Sequence, residues 1–434
     1  MAIKRDLTDK IKPFLKRKEF LAIIGPRQAG KTTLLDLLRE SLINDFKVSE
    51  KNIRMITFEN RRLLSQFDDD PVEFVKSYIP AAGTATFYLM IDEFQYSKEG
   101  GQKLKLIYDT IPNIKIFVTG SSSLDIKAQV GKFMVGRILS FHLYPFGFGE
   151  ILRSRDARLE KIYNENNKKI TNWLFKDKAP AVKSKIDTFA AEFIKHYEKY
   201  CVWGGYPAVT LARNDNERKK LLTDIYNGYI LKDIKSLLEL ATDKNLYLLA
   251  QYLAAQAGNI LVYQNLSQAS GLPYRNLVKH INILKETFVC SEVKPFFKNR
   301  QKELSRNPKI FFVDMGFRDN IIENMNELNK HTDAGSIVEN TVFIRLNELH
   351  EGFNKINFWR TKAGAEVDFV LHAAGEIIPI EVKYSNFEKE KIPRGLASFI
   401  ESFKPKRAVV LTKNYWGRAK IADTEILFAP VYYI

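Results

Sequence analysis

The chain has 434 residues and a formal net charge of +16, from 67 Lys and Arg against 51 Asp and Glu. That length exceeds what one hydrophobic core serves and predicts roughly two to four domains, while 45 % hydrophobic and 12 % aromatic residues exclude wholesale disorder. No apolar run approaches the roughly 18 residues that cross a bilayer, and the start MAIKRDLTDKIKPFLKRKEF is too charged for a signal peptide, so a cytoplasmic chain is expected, with no membrane partner.

The two cysteines, Cys201 and Cys290, lie far apart without metal-ligand spacing and read as buried thiols. The positive balance fits a polyanionic partner, and fits surface solubility equally well.

The segment from Leu21 to Thr33, LAIIGPRQAGKTT, places four apolar residues before a glycine loop and a helical LLDLLRE run after it. Gly25, Gly30, Lys31 and Thr32 satisfy G-x-x-x-x-G-K-[ST], the phosphate-binding loop. Gly25, Pro26, Arg27, Gln28, Ala29, Gly30, Lys31, Thr32 and Thr33 are therefore the expected ATP-binding residues. Backbone N–H groups, freed of side-chain bulk at the two glycines, can wrap phosphates at the positive end of the next helix. Lys31 is expected on the β- and γ-phosphates and Thr32 on a magnesium ion.

A second anchor appears at FYLMIDEFQ, where Phe87 to Ile91 read as a buried parallel strand ending in Asp92 and Glu93. Asp92 is expected to reach the metal and Glu93 to polarise the attacking water. A third apolar run, Ile114 to Val118, ends in Thr119-Gly120-Ser121-Ser122-Ser123; Thr119 or Ser121 reads as a γ-phosphate sensor or as an ordinary helix cap. Arg137 reads as a γ-phosphate sensor or finger acting within the chain, or as a surface arginine on an edge strand.

Strands near 20–24, 53–58, 87–91 and 114–119 alternate with helical stretches near 31–43, 71–79 and 99–110, and ILSFHLYPF adds a strand. This alternation predicts an α/β domain with a parallel sheet over residues 1–150.

Residues 151–240 turn helical and charged around Trp203-Gly204-Gly205-Tyr206-Pro207 and are expected to form a lid, with Asn164 to Lys185 as an exposed excursion. Within 241–320, VYQNLSQASGLPYRNLVKHINILKETFVC has helix-turn-helix proportions. Strand-like pieces near Val289 to Val293 and Ile310 to Val313 suggest a winged helix, with Lys294, Lys298, Arg300, Lys302, Arg306 and Lys309 in or near the wing. Tyr274, Arg275, Asn276 and Lys279 suit contacts to DNA phosphates and grooves; a pure packing role is the alternative.

Residues 321–434 carry a second constellation: Glu339 in a helix, Asp368 in one strand, and Glu381 and Lys383 on one face of another. Two or three carboxylates beside a lysine suit a magnesium-dependent phosphodiesterase, in the acid then E-x-K pattern of restriction-endonuclease-like folds. An inert, salt-bridged hairpin is the competing reading.

GPRQAGKTT, LMIDEFQ, VTGSSS, GRILSFHLYPFGFGEIL, WGGYP, KIFFVDMGF, and RTKAGAEVDFVL followed by IPIEVKYS together resemble the predicted AAA-type ATPases of bacteria and archaea that carry a C-terminal domain of unknown function. The resemblance implies an ATPase core, a helical lid, a winged helix and a restriction-endonuclease-like domain. It implies nucleotide sites at Gly25 to Thr33, Asp92 and Glu93, and draws attention to the pair Gly136-Arg137. The expected function is magnesium-dependent ATP hydrolysis moving the C-terminal half on DNA. The alternatives are an ATP-gated nuclease and a non-hydrolysing platform for a protein partner.

Overall fold

The structure, a computed structural model, describes residues 2–80, 85–121, 133–176, 178–229, 243–349, 355–373 and 375–434. Ser122, Ser123 and the expected lid residues 230–240 lie outside them, as do the side chains of Arg300 and Lys302. The chain divides into two compact units, Met1–Phe146 with Asn282–Val289, and Gly147–Ile281 with Cys290–Ile434. The segments read from sequence as lid, winged helix and C-terminal domain share the second unit, apart from 282–289.

The first unit is built on a sheet of five parallel strands, β1 (Phe20–Ile24), β2 (Ile53–Thr57), β3 (Phe87–Asp92), β4 (Ile114–Gly120) and β5 (Ile138–His142), in the order β2-β3-β4-β1-β5. Both faces are covered, which is why β1, β3 and β4 are mostly apolar and buried throughout, Lys115 in β4 included. Phe20, Ala22 and Ile24 enter one core with Leu89, Ile91, Ile116 and Val118, whereas Leu21 and Ile23 enter another with Met90 and Phe117. Alternate residues of each strand thus serve opposite layers.

Among the helices, α1 (Asp6–Ile11) and α2 (Lys31–Asn44) cover the second core through Leu7, Ile11, Leu34, Leu35, Leu38 and Leu42. The first core is closed by α3 (Arg61–Asp69), α4 (Pro71–Lys76) and α5 (Gly100–Thr110). α3 was not anticipated. Asn60 starts it by accepting from the backbone N–H groups of Arg62 and Leu63, and Leu64 and Phe67 bury its inner face. Asp70 caps α4 in the same way, with Pro71 in the first turn.

The second unit opens with α6 (Phe148–Arg155), α7 (Ala157–Lys176), the short β6 (Lys185–Ile186), α8 (Ala190–Trp203), α9 (Pro207–Leu211) and α10 (Asp215–Tyr226). The exposed excursion expected from Asn164 to Lys185 is corrected here. α7 runs through most of it, with Tyr163, Ile170, Trp173 and Leu174 buried and the Trp173 indole N–H donating to Ala408 O at 3.3 Å. β6 then pairs with a C-terminal strand through Ile186 and Tyr415. The Asn and Lys residues occupy the wet face of an amphipathic helix, and their abundance masked its apolar stripe.

Next come α11 (Asp243–Ala255), α12 (Tyr263–Ser270), α13 (Tyr274–Glu286), β7 (Cys290–Pro295), α14 (Arg300–Ser305) and β8 (Lys309–Phe312). β7 pairs antiparallel with β8 and, on its other edge, parallel with a C-terminal strand through Lys294 and Asn357. The hairpin expected to carry a basic wing is therefore part of a larger sheet.

α15 (Met315–Ile321) and α16 (Ala334–Leu349) precede β9 (Lys355–Arg360), β10 (Glu366–Ala373), β11 (Glu376–Lys383), α17 (Arg394–Phe403), β12 (Arg407–Thr412), β13 (Tyr415–Ile421) and β14 (Thr424–Pro430). The nine-stranded order is β6-β13-β14-β12-β11-β10-β9-β7-β8. β9, β10 and β11 form an antiparallel meander, α17 crosses from β11 to the parallel β12, and Phe399, Ile400, Val410 and Phe428 pack in the core beneath.

Candidate functional site

Gly25 follows the last residue of β1, where Leu143 N–H donates to Ile24 O at 2.8 Å. A Cβ on Gly25 would lie 2.0 Å from Leu143 O, so only glycine lets the loop leave the strand at this point. At the other end of the loop Gly30 has φ +92°, and α2 begins at the next residue, presenting its unpaired N–H groups to the loop.

Lys31 is buried and donates to the carbonyls of Gly25 and Pro26 at 3.1 and 3.0 Å. Burial lowers its proton affinity, opposed by the charges of Glu93 and Asp92. A polyanion in the loop would favour its charged form. The Thr32 hydroxyl donates to Asp92 Oδ2 at 2.6 Å, joining the loop to the end of β3. These residues fit a triphosphate with a divalent cation, because a hydroxyl, a nearly buried carboxylate and an ammonium converge on amides at a helix start.

Thr119 differs from its expected sensor role. It is fully buried, donates to Asp92 Oδ1 and accepts from Glu93 N–H at 3.1 Å, so it orients Asp92 and Glu93 and has no surface to offer a phosphate. Glu93 has φ +55°, a left-handed conformation that re-aims its side chain as the strand ends. The Gln95 amide donates to its carboxylate and, at 3.3 Å, to Ser121 Oγ, which places Ser121 in the same polar group.

Arg137 does not join that group, and its expected place at the γ-phosphate is corrected. Its carbonyl accepts from Phe20 N–H at 2.8 Å at the amino end of β1, whereas the phosphate loop follows the carboxyl end. Five strand residues separate the two ends, about 16 Å of extended chain. The guanidinium instead pairs with Asp109 at 3.1 Å and lies over the Tyr108 ring.

Arg5 is the residue that sequence reasoning missed. It is buried beneath the loop, donating to Ala29 O at 2.8 Å and Tyr144 O at 2.6 Å, with its guanidinium 4.7 Å from the Phe146 ring centre. No motif marks it; it is one of many basic residues near the N-terminus.

In the second unit, WGGYP and VDMGF meet. Asp314 caps α15 by accepting from Phe317 N–H at 2.9 Å and also accepts from Gly205 N–H at 2.7 Å. Burial raises its pKa to about 6. The next turn buries Arg318, which donates to Ala254 O and Asp319, each at 2.8 Å, and pairs with Asp333.

The C-terminal constellation gathers around β10 and β11. Asp368 falls in a register shift between Val367 and Val370, the irregularity that redirects side chains at strand edges. It accepts from Val382 N–H at 2.7 Å, and Lys383 pairs with Glu381 at 2.6 Å. Burial raises Glu381 to about 7 and Glu339 to about 8, in each case reinforced by the charge of Asp368; Asp368 itself is raised by burial. Glu339 is paired with Lys309 at 2.9 Å, and Lys309 also reaches Glu366 at 2.6 Å. Lys309 is buried, so its expected place in a basic wing is corrected: the acids around it account for its position in the sequence. Among the described residues no three His, Cys, Asp or Glu side chains form a ready metal cage, and no helix is long and apolar enough to cross a membrane.

Residues 17–152 match an AAA domain, 194–328 a domain of unknown function (DUF8612) and 334–430 a second (DUF4143). The chain is similar to an uncharacterized protein of Haemophilus influenzae, 24 % identical over 95 % of this chain and 94 % of the relative. It is also similar to an uncharacterized protein of Methanocaldococcus jannaschii, 23 % identical over 96 % and 87 %. Among solved structures, a Walker-type ATPase of Pyrococcus abyssi aligns over 74 % of this chain and 96 % of its own at 14 % identity and a TM-score of 0.42. The parallel sheet and the phosphate loop lie within the segment 17–152 that matches the AAA domain.

Proposed function

We propose that the chain binds ATP with magnesium at Gly25 to Thr33 and hydrolyses it. The hydrogen bond between Thr32 and Asp92 carries this reading, because it brings the two expected metal-binding groups onto one point beside Lys31. Bound magnesium supplies charge neutralisation for the β- and γ-phosphates. Lys31 adds a second positive charge, Asp92 is held in orientation by Thr119, and Glu93 orients the attacking water, with Gln95 and Ser121 positioning its carboxylate.

Lys31→Ala should abolish nucleotide binding by calorimetry, whereas Glu93→Gln should bind ATP and lose turnover. Undiminished affinity in the lysine variant would refute the site, and phosphate release at background with and without DNA would favour the non-hydrolysing platform for a protein partner.

DNA is the partner that the reading favours for the second half. Tyr274, Arg275, Asn276 and Lys279 all stand exposed at the start of α13, which follows α12 in helix-turn-helix fashion, and the chain carries +16. In this reading, segments 151–240, 241–320 and 321–434 act as lid, winged helix and restriction-endonuclease-like domain, and the nucleotide cycle moves the latter two on DNA.

A metal-dependent nuclease is the second reading. It is favoured by the Oε2 atom of Glu381, buried without a hydrogen-bond partner beside Asp368. Asp368 and Glu381 would hold the cation and Lys383 the developing charge, with Glu339 behind them. Plasmid incubated with magnesium or manganese tests it: cleavage must disappear in Asp368→Ala and Lys383→Ala, and cleavage that survives both assigns the activity elsewhere.

A further inference from the structure

Between α6, α8, α9 and α10 lies a cleft of about 220 Å³ whose polar wall is cationic. Arg155 stands at the end of α6, Lys195, His196 and Lys199 project from one face of α8, and Arg218 reaches in from α10, while no carboxylate is among the described lining residues. The apolar side includes Tyr200 and Trp203.

The two guanidinium groups are held in place. Arg155 donates to Thr210 O, and Arg218 donates to Ala212 O at 3.0 Å, pairs with Asp215 and lies 5.6 Å from the Trp203 ring centre. A second acid, Asp156, accepts from the backbone N–H groups of Arg158 and Leu159, and Glu348 and Asp314 act on the lining Tyr200. Asp215 acts on Lys199 only at a distance, its charge favouring the ammonium form. Partial burial lowers the proton affinity of Lys199 and His196, and the cations around them push in the same direction, opposed by Asp215 at Lys199 and by Asp156 at His196. Like charges crowded into a concavity repel one another, and an anion of several charges removes that repulsion where a single carboxylate would leave most of it.

We propose that this cleft binds a compact polyphosphate, two or three linked phosphoryl groups, either free or as the tail of a nucleotide. The N–H groups of Arg155 and Arg218 not spent on Thr210, Ala212 and Asp215 suit phosphate oxygens, flexible ammonium groups adjust to the remainder, and the aromatic side gives a nucleotide's base a surface to lie on. A concavity of this size accepts a small ligand and has no room for a duplex. The proposal stands on residues 151–218 and is independent of the ATP site.

The test is calorimetry on the full chain carrying Lys31→Ala, titrated with tripolyphosphate, pyrophosphate and ADP. Tripolyphosphate should bind, and adding Lys195→Ala with Lys199→Ala should weaken it about tenfold or more, while the melting temperature stays put because both lysines are exposed. ADP binding more tightly than pyrophosphate identifies a nucleotide tail as the source; equal affinities identify free polyphosphate. Absence of tripolyphosphate binding, or equal affinity in the lysine variant, overturns the proposal. So does a 5′-phosphorylated oligonucleotide that binds through these lysines when tripolyphosphate does not, since that assigns the cleft to nucleic-acid backbone.

Discussion

The Thr32 hydroxyl donates to the Asp92 carboxylate at 2.6 Å, linking the first turn of α2 to the last residue of β3. Sixty residues separate the two in sequence, and parallel pairing of β3, β4 and β1 brings their carboxyl ends together. Asp92→Asn should therefore raise the magnesium needed for half-maximal ATP turnover about 10- to 100-fold, with metal-free nucleotide binding retained. A magnesium titration that does not move would take Asp92 out of the metal site.

Arg5 supports the phosphate loop from below through Ala29 O. Arg5→Ala leaves buried carbonyls without donors and should cost about 1.5 to 3 kcal/mol in chemical denaturation. ATP affinity should fall with it, because the loop loses a fixed point. Equal nucleotide dissociation constants for the variant and the parent would show that the loop holds its shape unaided.

Gly25→Ala places a methyl group 2.0 Å from Leu143 O. Relief requires the loop or β5 to move, at a cost of about 1 to 3 kcal/mol, and it reshapes the phosphate cradle. Thermal melting and ATP binding should both decline; a variant that melts and binds like the parent would mean that the strand edge yields freely.

Arg137 pairs with Asp109 at the amino end of the sheet. Arg137→Ala should leave ATP turnover within about twofold of the parent, as for surface substitutions generally. A loss of several orders of magnitude would restore it to the catalytic group.

Four buried carboxyls bind protons more tightly in the folded chain than their ordinary values of 3.8 or 4.5: Asp314 at about 6, Asp319 and Glu381 at about 7 and Glu339 at about 8. The folded state then holds the extra protons between pH ~4 and ~8, so these groups' contribution to stability declines as pH rises through that window. Glu339→Gln and Glu381→Gln remove the upper part of the effect. The difference in melting temperature between the parent and the double variant should drift against the parent from pH 5 to 8. A constant difference would show that neither carboxyl is shifted.

The phosphate loop, the buried strands and the acidic end of β3 were legible because each is a local pattern: a glycine spacing, an apolar run or a terminal pair of acids. α3 did carry a signal, Asn60 in the N-cap position and Leu64 and Phe67 one turn apart, but it is short and set among charged residues. α7 was misread because abundant Asn and Lys concealed a stripe of only a few buried side chains. At the C-terminus, alternation along a strand put Glu381 and Lys383 on one face, but nothing local marked Lys309 as their neighbour's partner; it looked like one more basic residue beside a strand.

By itself, then, the sequence determined the strands of the first sheet, several of its helices and the glycine pattern of the phosphate loop, because those depend on backbone conformation and the chemistry of adjacent residues. Tertiary structure alone decided which end of the sheet Arg137 occupies, that Arg5 lies under the loop, that Thr119 orients Asp92, and that four cationic side chains and a histidine line one cleft. Those relationships join residues from separate elements. They are fixed by the order and register in which the elements pack, and a charged side chain carries no local mark of the partner that packing will give it.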